Sequence, residues 1–215
     1  MAAFIFDMDG VIIDSNPAHK IALKQFCQKY GQDLSEDQLR EKIYGRTNRD
    51  WITNVFGKLD DKKLRAYAEE KEALFRQLYE KDIHALNGLV SFLEAMDRLG
   101  IPRAIATSAP RANVDFTLSH TGIEKYFPVI LDDSFVSKGK PDPEVYIKTV
   151  AALNQEPDNC VVFEDSLSGV KAAKLAGCKV VGVATTHTAE ELAETDLVIR
   201  DFSEIDPKTL ISKIF

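Results

Sequence analysis

The chain reads as an α/β protein: a parallel sheet core into which a block of helices is inserted. Three observations predict it. A short apolar run, Ala3 to Phe6, ends on two carboxylates and a glycine, Asp7-Met-Asp-Gly10. From Pro17 to Lys81 the apolar residues recur at helical spacing, with no convincing strand. Beyond Asn87-Gly88, helices alternate with short apolar strands, the pattern of a parallel sheet with crossover helices.

The elements follow in order. Ala3 to Phe6 carries no charge and suits a buried strand; it is too short to argue for a helix. Gly10 permits positive φ, so the chain can turn sharply and bring Asp7 and Asp9 to one rim of the sheet. A helix then starts at Ser15 or Asn16 as N-cap, with Pro17 in its first turn and Gly31 as its stop. Ser35-Glu-Asp-Gln38 has the form of a capping box and opens a short helix through Leu39 and Ile43 to Gly45. Thr47-Asn-Arg-Asp50 repeats the idea ahead of Trp51 and Ile52, and a long charged amphipathic helix spans roughly Asp61 to Lys81.

Helices are then expected over Leu89 to Leu99, about Asn113 to Ser119, Pro143 to Leu153, Leu167 to Ala176 and Pro207 to Ile214. Strands are expected over Arg103 to Thr107, Val129 to Leu131, Cys160 to Phe163, Lys179 to Val183 and Leu197 to Ile199. Ala3 to Phe6 must join this sheet, because a lone apolar strand would leave its edges unpaired. The expected organisation is a Rossmann-like parallel sheet core from Met1 to Asp14 and Asp82 to Phe215, with a helical cap inserted over Ser15 to Lys81.

Composition narrows the function. With 215 residues, 45% of them hydrophobic, the chain can build a sizeable core. A net charge of −7 argues against nucleic acid or an anionic membrane as partner, so any phosphate must be caught by local charge. Cys27, Cys160 and Cys178 lack metal-ligand or redox spacing and read as buried thiols. No apolar run is long enough to span a bilayer, and the first strand, with its acids, is unlike a signal peptide; a monomer in a reducing cytoplasm is the expectation.

In an open α/β sheet, ligands bind beyond the carboxyl ends of the strands. Those ends carry Asp7 and Asp9; Thr107-Ser108-Ala109-Pro110; across a polar loop, Lys138-Gly-Lys140-Pro-Asp-Pro; and Glu164-Asp165-Ser166. Each has a plain structural alternative. The acids could terminate a strand in solvent, Thr107 and Ser108 could cap the next helix, Lys140 could be a surface lysine, and Glu164 and Asp165 could complement a helix dipole. One phosphoryl-transfer site accounts for all four at once. Paired acids suit a small hard cation such as Mg²⁺, an aspartate beside it can act as a nucleophile, and a lysine offsets a phosphate dianion.

Asp7-Met-Asp-Gly-Val, the strand ending in Thr107-Ser108, Lys140-Pro-Asp-Pro-Glu and Phe163-Glu-Asp-Ser-Leu-Ser-Gly-Val resemble, in order, the four motifs of the haloacid dehalogenase-like hydrolase superfamily. The β-phosphoglucomutase-like group, with a helical cap after the first motif, is the branch it most resembles, and the resemblance covers essentially the whole chain. It implies a Mg²⁺-dependent phosphatase working through an aspartyl phosphate. By the same resemblance Asp7 is nucleophile and metal ligand, and Asp9 is the general acid/base with its carbonyl on the metal. Thr107 and Ser108, with Ala109 beside them, hold the transferring group, Lys140 binds that group and Asp7, and Asp165 completes the metal site. Glu164 would ligate the metal directly or through water.

In the cap, His19, Arg46, Asn48 and Lys71 are the expected substrate contacts: His19 lies just past the hinge, Gly45-Arg46-Thr47 resembles a substrate-facing loop, and Lys71 precedes Phe75 in a Lys-x-x-x-aromatic pattern. The structural alternative for His19 and Lys71 is an exposed position on a charged helix. Ala109-Pro110-Arg111 stands where the mutase has a Ser-Lys-Asn-type run, which favours hydrolysis over phosphomutase activity. The expected partner is a small phosphorylated metabolite, a sugar phosphate ahead of a nucleotide. A phosphomutase, a pyrophosphatase and a non-catalytic phospholigand-binding module are the alternatives; a metal-free dehalogenase is disfavoured by the presence of both Asp9 and Asp165.

Overall fold

A computed structural model describes residues 2–43 and 46–215. The chain divides into two compact units, one comprising Met1–Asp14 with Ile83–Phe215, the other Ser15–Asp82.

The first unit is built on a six-stranded sheet, all parallel, in the order β3-β2-β1-β4-β5-β6. Its strands are β1 (Ala3–Phe6), β2 (Arg103–Ala106), β3 (Val129–Leu131), β4 (Cys160–Glu164), β5 (Lys179–Val183) and β6 (Leu197–Ile199). The expected first strand is central: Ile5 lies opposite Ala104 on β2 and opposite Val162 on β4. Burial on both faces explains why β1 is wholly apolar and why β2 and β4 are apolar but for Arg103 at the start of one and Glu164 at the end of the other.

The alternation of side chains along β1 divides the core in two. Ala3 and Ile5 join Val162, Ala106 and residues of the helices Glu144–Ala152 and Leu167–Leu175. Phe4 and Phe6 enter an aromatic cluster instead. Phe6 stacks on its register partner Phe163 at 4.7 Å, and Phe92 and Phe202 pack against both Phe6 and Phe163.

In the second unit lie α1 (Asn16–Lys29), α2 (Glu36–Lys42), α3 (Asn48–Phe56) and α4 (Asp61–Tyr79). The first unit carries α5 (Leu89–Leu99), α6 (Arg111–Thr121), α7 (Glu144–Ala152), α8 (Leu167–Leu175) and α9 (Pro207–Ile214). The Ser35–Gln38 capping box forms with both of its bonds, Thr47 caps α3 through the Asp50 amide, and Asp60 caps α4 through the Lys63 amide. Ser15 occupies the N-cap position of α1, but its backbone is already helical and its hydroxyl makes no capping bond. The helix expected over Asn113 to Ser119 extends two residues further at each end: the Pro110 carbonyl accepts from the Asn113 and Val114 amides and starts the helical turn early, and the helix runs on until Gly122, in the left-handed region, donates its amide to the Leu118 carbonyl. All three cysteines are free and buried. Within the helical unit, Phe26 packs its ring against Trp51, Phe56 and Tyr67. Among the described residues no helix is long and apolar enough to cross a membrane.

Phe92 lies at the junction of the aromatic cluster and is almost fully buried. Phe92→Ala is expected to cost about 3–5 kcal/mol of folding free energy, read as a fall in the urea midpoint with little change in slope.

Candidate active site

The carboxyl ends of the adjacent strands β2, β1, β4 and β5 bring the acids and hydroxyls of the sequence motifs to one rim. Asp7 follows β1 directly and donates its amide to the Phe163 carbonyl at 3.0 Å. Gly10 takes φ 80°, and the loop curls back so that the Met8 carbonyl accepts from the amides of Val11, Ile12 and Ile13. At the exit of β4, Glu164 still belongs to the sheet, opposite Gly182, and Asp165 comes next. Asp7, Glu164 and Asp165 are all buried, and their oxygens lie within 4.8 Å of one another.

Lys140 arrives on the loop between β3 and α7. Glu144 fastens that loop: one of its oxygens accepts from the Ser137 amide and hydroxyl and from the Lys138 amide at 2.8–3.0 Å. From there Lys140 Nζ donates to Asp7 Oδ1 at 2.6 Å and to Glu164 Oε1 at 2.6 Å. It is therefore no surface lysine. Glu164 also accepts from the Tyr146 hydroxyl at 2.7 Å, and from the Asp165 amide and the Ser166 amide and hydroxyl at 3.0 Å each.

The electrostatics follow from burial and charge count. Burial would raise the Glu164 carboxyl, but the Lys140 charge and the hydrogen bonds more than offset it and hold the group ionised, below the usual range. Burial also works against the Lys140 ammonium; Asp7 and Glu164 outweigh it, and the ammonium titrates well above the ordinary lysine range. Asp7 is pushed the other way, first by burial and then, against Lys140, by Glu164 and Asp165. Asp165 is pushed up to about 7, by burial and by Glu164. When all three carboxyls are ionised they leave two negative charges over against the one ammonium, so an ion that displaces the protons of Asp7 and Asp165 would be a divalent hard cation, which this donor set fits.

Asp9 is half-buried and outside this group of three, yet near enough for its charge to push Asp165 upward. Thr107 is buried at the exit of β2 and Ser108 is exposed. Neither caps α6, whose N-cap is Pro110. Ala109, expected among the substrate contacts, commits its amide to Thr107 Oγ1 at 3.0 Å, and the Thr107 hydroxyl keeps its own hydrogen to donate. Three groups lay outside the sequence reading. Tyr146 sits at a core position of α7, and Thr185 and Thr186 leave β5, where Thr185 donates to the Gly10 carbonyl at 2.6 Å and Thr186 to Asp165. The strand-exit rule applied to β5 would have found the two threonines.

In the helical unit, three of the expected substrate residues share one polar cluster. Lys71 is buried and donates to Glu72 at 2.7 Å; its ammonium lies 3.1 Å from His19 Nδ1. Asn48 donates to Glu72 at 3.1 Å and accepts from the Trp51 indole at 2.8 Å. The His19 ring stacks on Phe75. Lys71 and His19 are thus not solvated helix residues. Arg46 is exposed and donates to the Glu41 carbonyl, apart from that cluster; Gly45 lies outside the described residues.

Residues 4–183 match the family model of the haloacid dehalogenase-like hydrolases. A phosphorylated carbohydrates phosphatase from Thermotoga maritima is 37% identical over 190 residues, 85% of either chain. Among solved structures, a HAD hydrolase, family IA, variant 3, from Entamoeba histolytica has a TM-score of 0.91 at 34% identity, covering 100% of this chain and 99% of that one. A β-phosphoglucomutase from Clostridium difficile has a TM-score of 0.86 at 27% identity, covering 100% and 97%.

Gly169 on α8 faces the Glu164 carboxylate so closely that a Cβ there would overlap it. Helix propensity alone makes Gly→Ala favourable by about 1 kcal/mol. Gly169→Ala is expected to destabilise instead, with a melting temperature several degrees lower, because Glu164 is pinned by its hydrogen bonds and cannot move aside.

Proposed function

This chain belongs to the haloacid dehalogenase-like hydrolase family, and from that premise we propose that it is a Mg²⁺-dependent phosphatase acting on a small phosphorylated metabolite, in the first place a sugar phosphate. The observation that carries the reading is the Lys140 ammonium bonded at 2.6 Å to Asp7 within a buried group of three carboxylates. An isolated strand-end acid would be solvated. This one is desolvated, in contact with a cationic side chain, and part of a donor set suited to a divalent ion.

In the proposed reaction an Asp7 carboxylate oxygen attacks phosphorus as the ester P–O bond breaks, and Asp9 gives a proton to the departing oxygen. Asp9 then takes a proton from water, which attacks the aspartyl phosphate, releasing inorganic phosphate and restoring Asp7. The Thr107 hydroxyl and the Ser108 amide hold the phosphoryl oxygens, and Lys140 offsets their charge while orienting Asp7. Asp7 and Asp165, with the Asp9 backbone carbonyl, are the proposed holders of Mg²⁺, which when bound neutralises charge on the phosphoryl group. The kinship with the carbohydrate phosphatase supports a sugar phosphate. A mutase would need a second contact to a bisphosphate; Arg111, at the corresponding place, is paired with Asp115 at 2.8 Å. Substrate discrimination is assigned to the polar cluster of His19, Asn48 and Lys71, with Arg46 a lesser candidate.

Asp7→Asn is expected to abolish Mg²⁺-dependent turnover of hexose phosphates and of p-nitrophenyl phosphate without lowering the melting temperature, and EDTA is expected to silence the wild type until Mg²⁺ is restored. Wild-type turnover in purified Asp7→Asn would reject the mechanism. Asn48→Ala is expected to lower kcat/KM for the best sugar phosphate at least tenfold more than for p-nitrophenyl phosphate; equal losses would remove specificity from that cluster.

A further inference from the structure

We infer that Thr185 is a positioning residue for Asp9: its hydroxyl grips the turn from which Asp9 projects and fixes the direction in which that carboxyl is presented. The inference rests on the reading above of Asp9 as the acid/base of the site. Gly10 is the residue of that turn with the widest backbone freedom, and at φ 80° it stands in the left-handed region. Both polar groups of its main chain are engaged. Its amide donates to the Ile13 carbonyl at 2.7 Å, and its carbonyl accepts from the Thr185 hydroxyl at 2.6 Å. The peptide units on either side of the glycine are therefore held, and Asp9 is attached to the first of them. The same turn is joined to the segment that returns from the helical unit, where the Leu86 amide donates to the Ile12 carbonyl at 2.8 Å and Ile13 pairs with Ala85. Thr185 holds it from the side of the sheet.

The β5 exit is shaped for this contact. The Ala184 amide still donates to the Ile199 carbonyl at 2.8 Å, as a strand would, but the Thr185 amide turns back to the Val183 carbonyl at 2.9 Å, a γ-turn that bends the chain out of the sheet at a single residue. From that bend Thr185 reaches past β4, which lies between β5 and β1, to the loop that follows β1. Thr186 donates to Asp165 at the β4 exit and so holds the bend in place. Threonine is β-branched, and the backbone of the bend therefore restricts where its hydroxyl can point. Gly10 is buried, so without this donor its carbonyl would lose its partner inside the protein and the glycine would be freer to turn. A displacement of about 1 Å near the reacting atoms costs roughly a hundredfold in rate.

A residue that merely closed the end of β5 would affect every substrate alike, whereas a hold on the acid is felt in proportion to the leaving group's need for a proton. Phenyl phosphate and p-nitrophenyl phosphate separate the two cases, because they are similar in shape and the phenolate is much the more basic leaving group. Thr185→Val keeps the side-chain shape and removes the donor. It is expected to lower kcat/KM about thirtyfold for phenyl phosphate and about threefold for p-nitrophenyl phosphate, while Thr185→Ser restores both to within about threefold of the wild type. Equal losses on the two esters, or no loss, would overturn the inference. The hold itself is read from the ¹³C resonance of the Gly10 carbonyl and from amide hydrogen exchange. Thr185→Val is expected to move that resonance and to speed exchange at the Gly10 and Val11 amides about tenfold, with the melting temperature within a few degrees of the wild type. An unmoved resonance with unchanged exchange would remove Thr185 from the site. Should Thr185→Val not fold, Thr185→Ala carries the same expectations. If the wild type turns over neither ester, the phosphatase reading fails, and the resonance and exchange measurements still decide whether Thr185 holds the Asp9 turn.

Discussion

One ammonium between two buried carboxylates is the constraint from which the rest of the site follows. Lys140 joins the exits of β1 and β4, the two middle strands of the sheet, by bonding Asp7 and Glu164 together. Removing three charges from water costs several kcal/mol per ion, and their mutual attraction returns it only where geometry is good and the remaining lone pairs are satisfied. The surroundings meet that condition. Tyr146 and Ser166 complete Glu164, Gly169 leaves room for its carboxylate, and Glu144 ties down the loop from which Lys140 reaches in. Such a cluster adds little to net stability. What it secures is a single arrangement of the acids.

The aromatic layer beneath the rim serves the same end. Phe6 stacks on Phe163, and these two residues immediately precede Asp7 and Glu164. Packing in the core therefore sets the spacing of the two acids directly, since neither strand can slide without unstacking the rings. A register shift would also turn Phe6 to the opposite face of the sheet.

The alternation of helix and strand was legible because each strand is short, apolar and bounded by charged or turn residues, and the four motif-bearing exits could be read from that alone. Other features were hidden for physical reasons. Tyr146 sits at the apolar period of α7 and is indistinguishable in sequence from a core aromatic; only the fold shows that its hydroxyl meets Glu164. Lys71 and Glu72 lie in a helix so rich in charge that a solvated face is the natural reading, whereas both are buried. The bonding role of Ser15 depended on backbone dihedrals that residue type does not reveal. At the β2 exit, whether Thr107 or Ser108 caps the next helix could not be decided without coordinates, which give that place to Pro110.

The placement of β1 at the centre of the sheet bears on how the protein is made. Asp7 and Lys140, which bond directly, are separated by 133 residues of chain, and both sheet partners of β1 are translated long after it. Emerging from the ribosome, the apolar stretch Ala3–Phe6 has no neighbour to pair with, while the helices of Ser15–Asp82 can form from contacts close in sequence. The sheet, and with it the meeting of Asp7, Lys140 and Glu164, must wait for β4. A nascent chain thus carries an apolar strand that is not sealed on both sides until β4 has been made, and the acids of the site meet only at that moment.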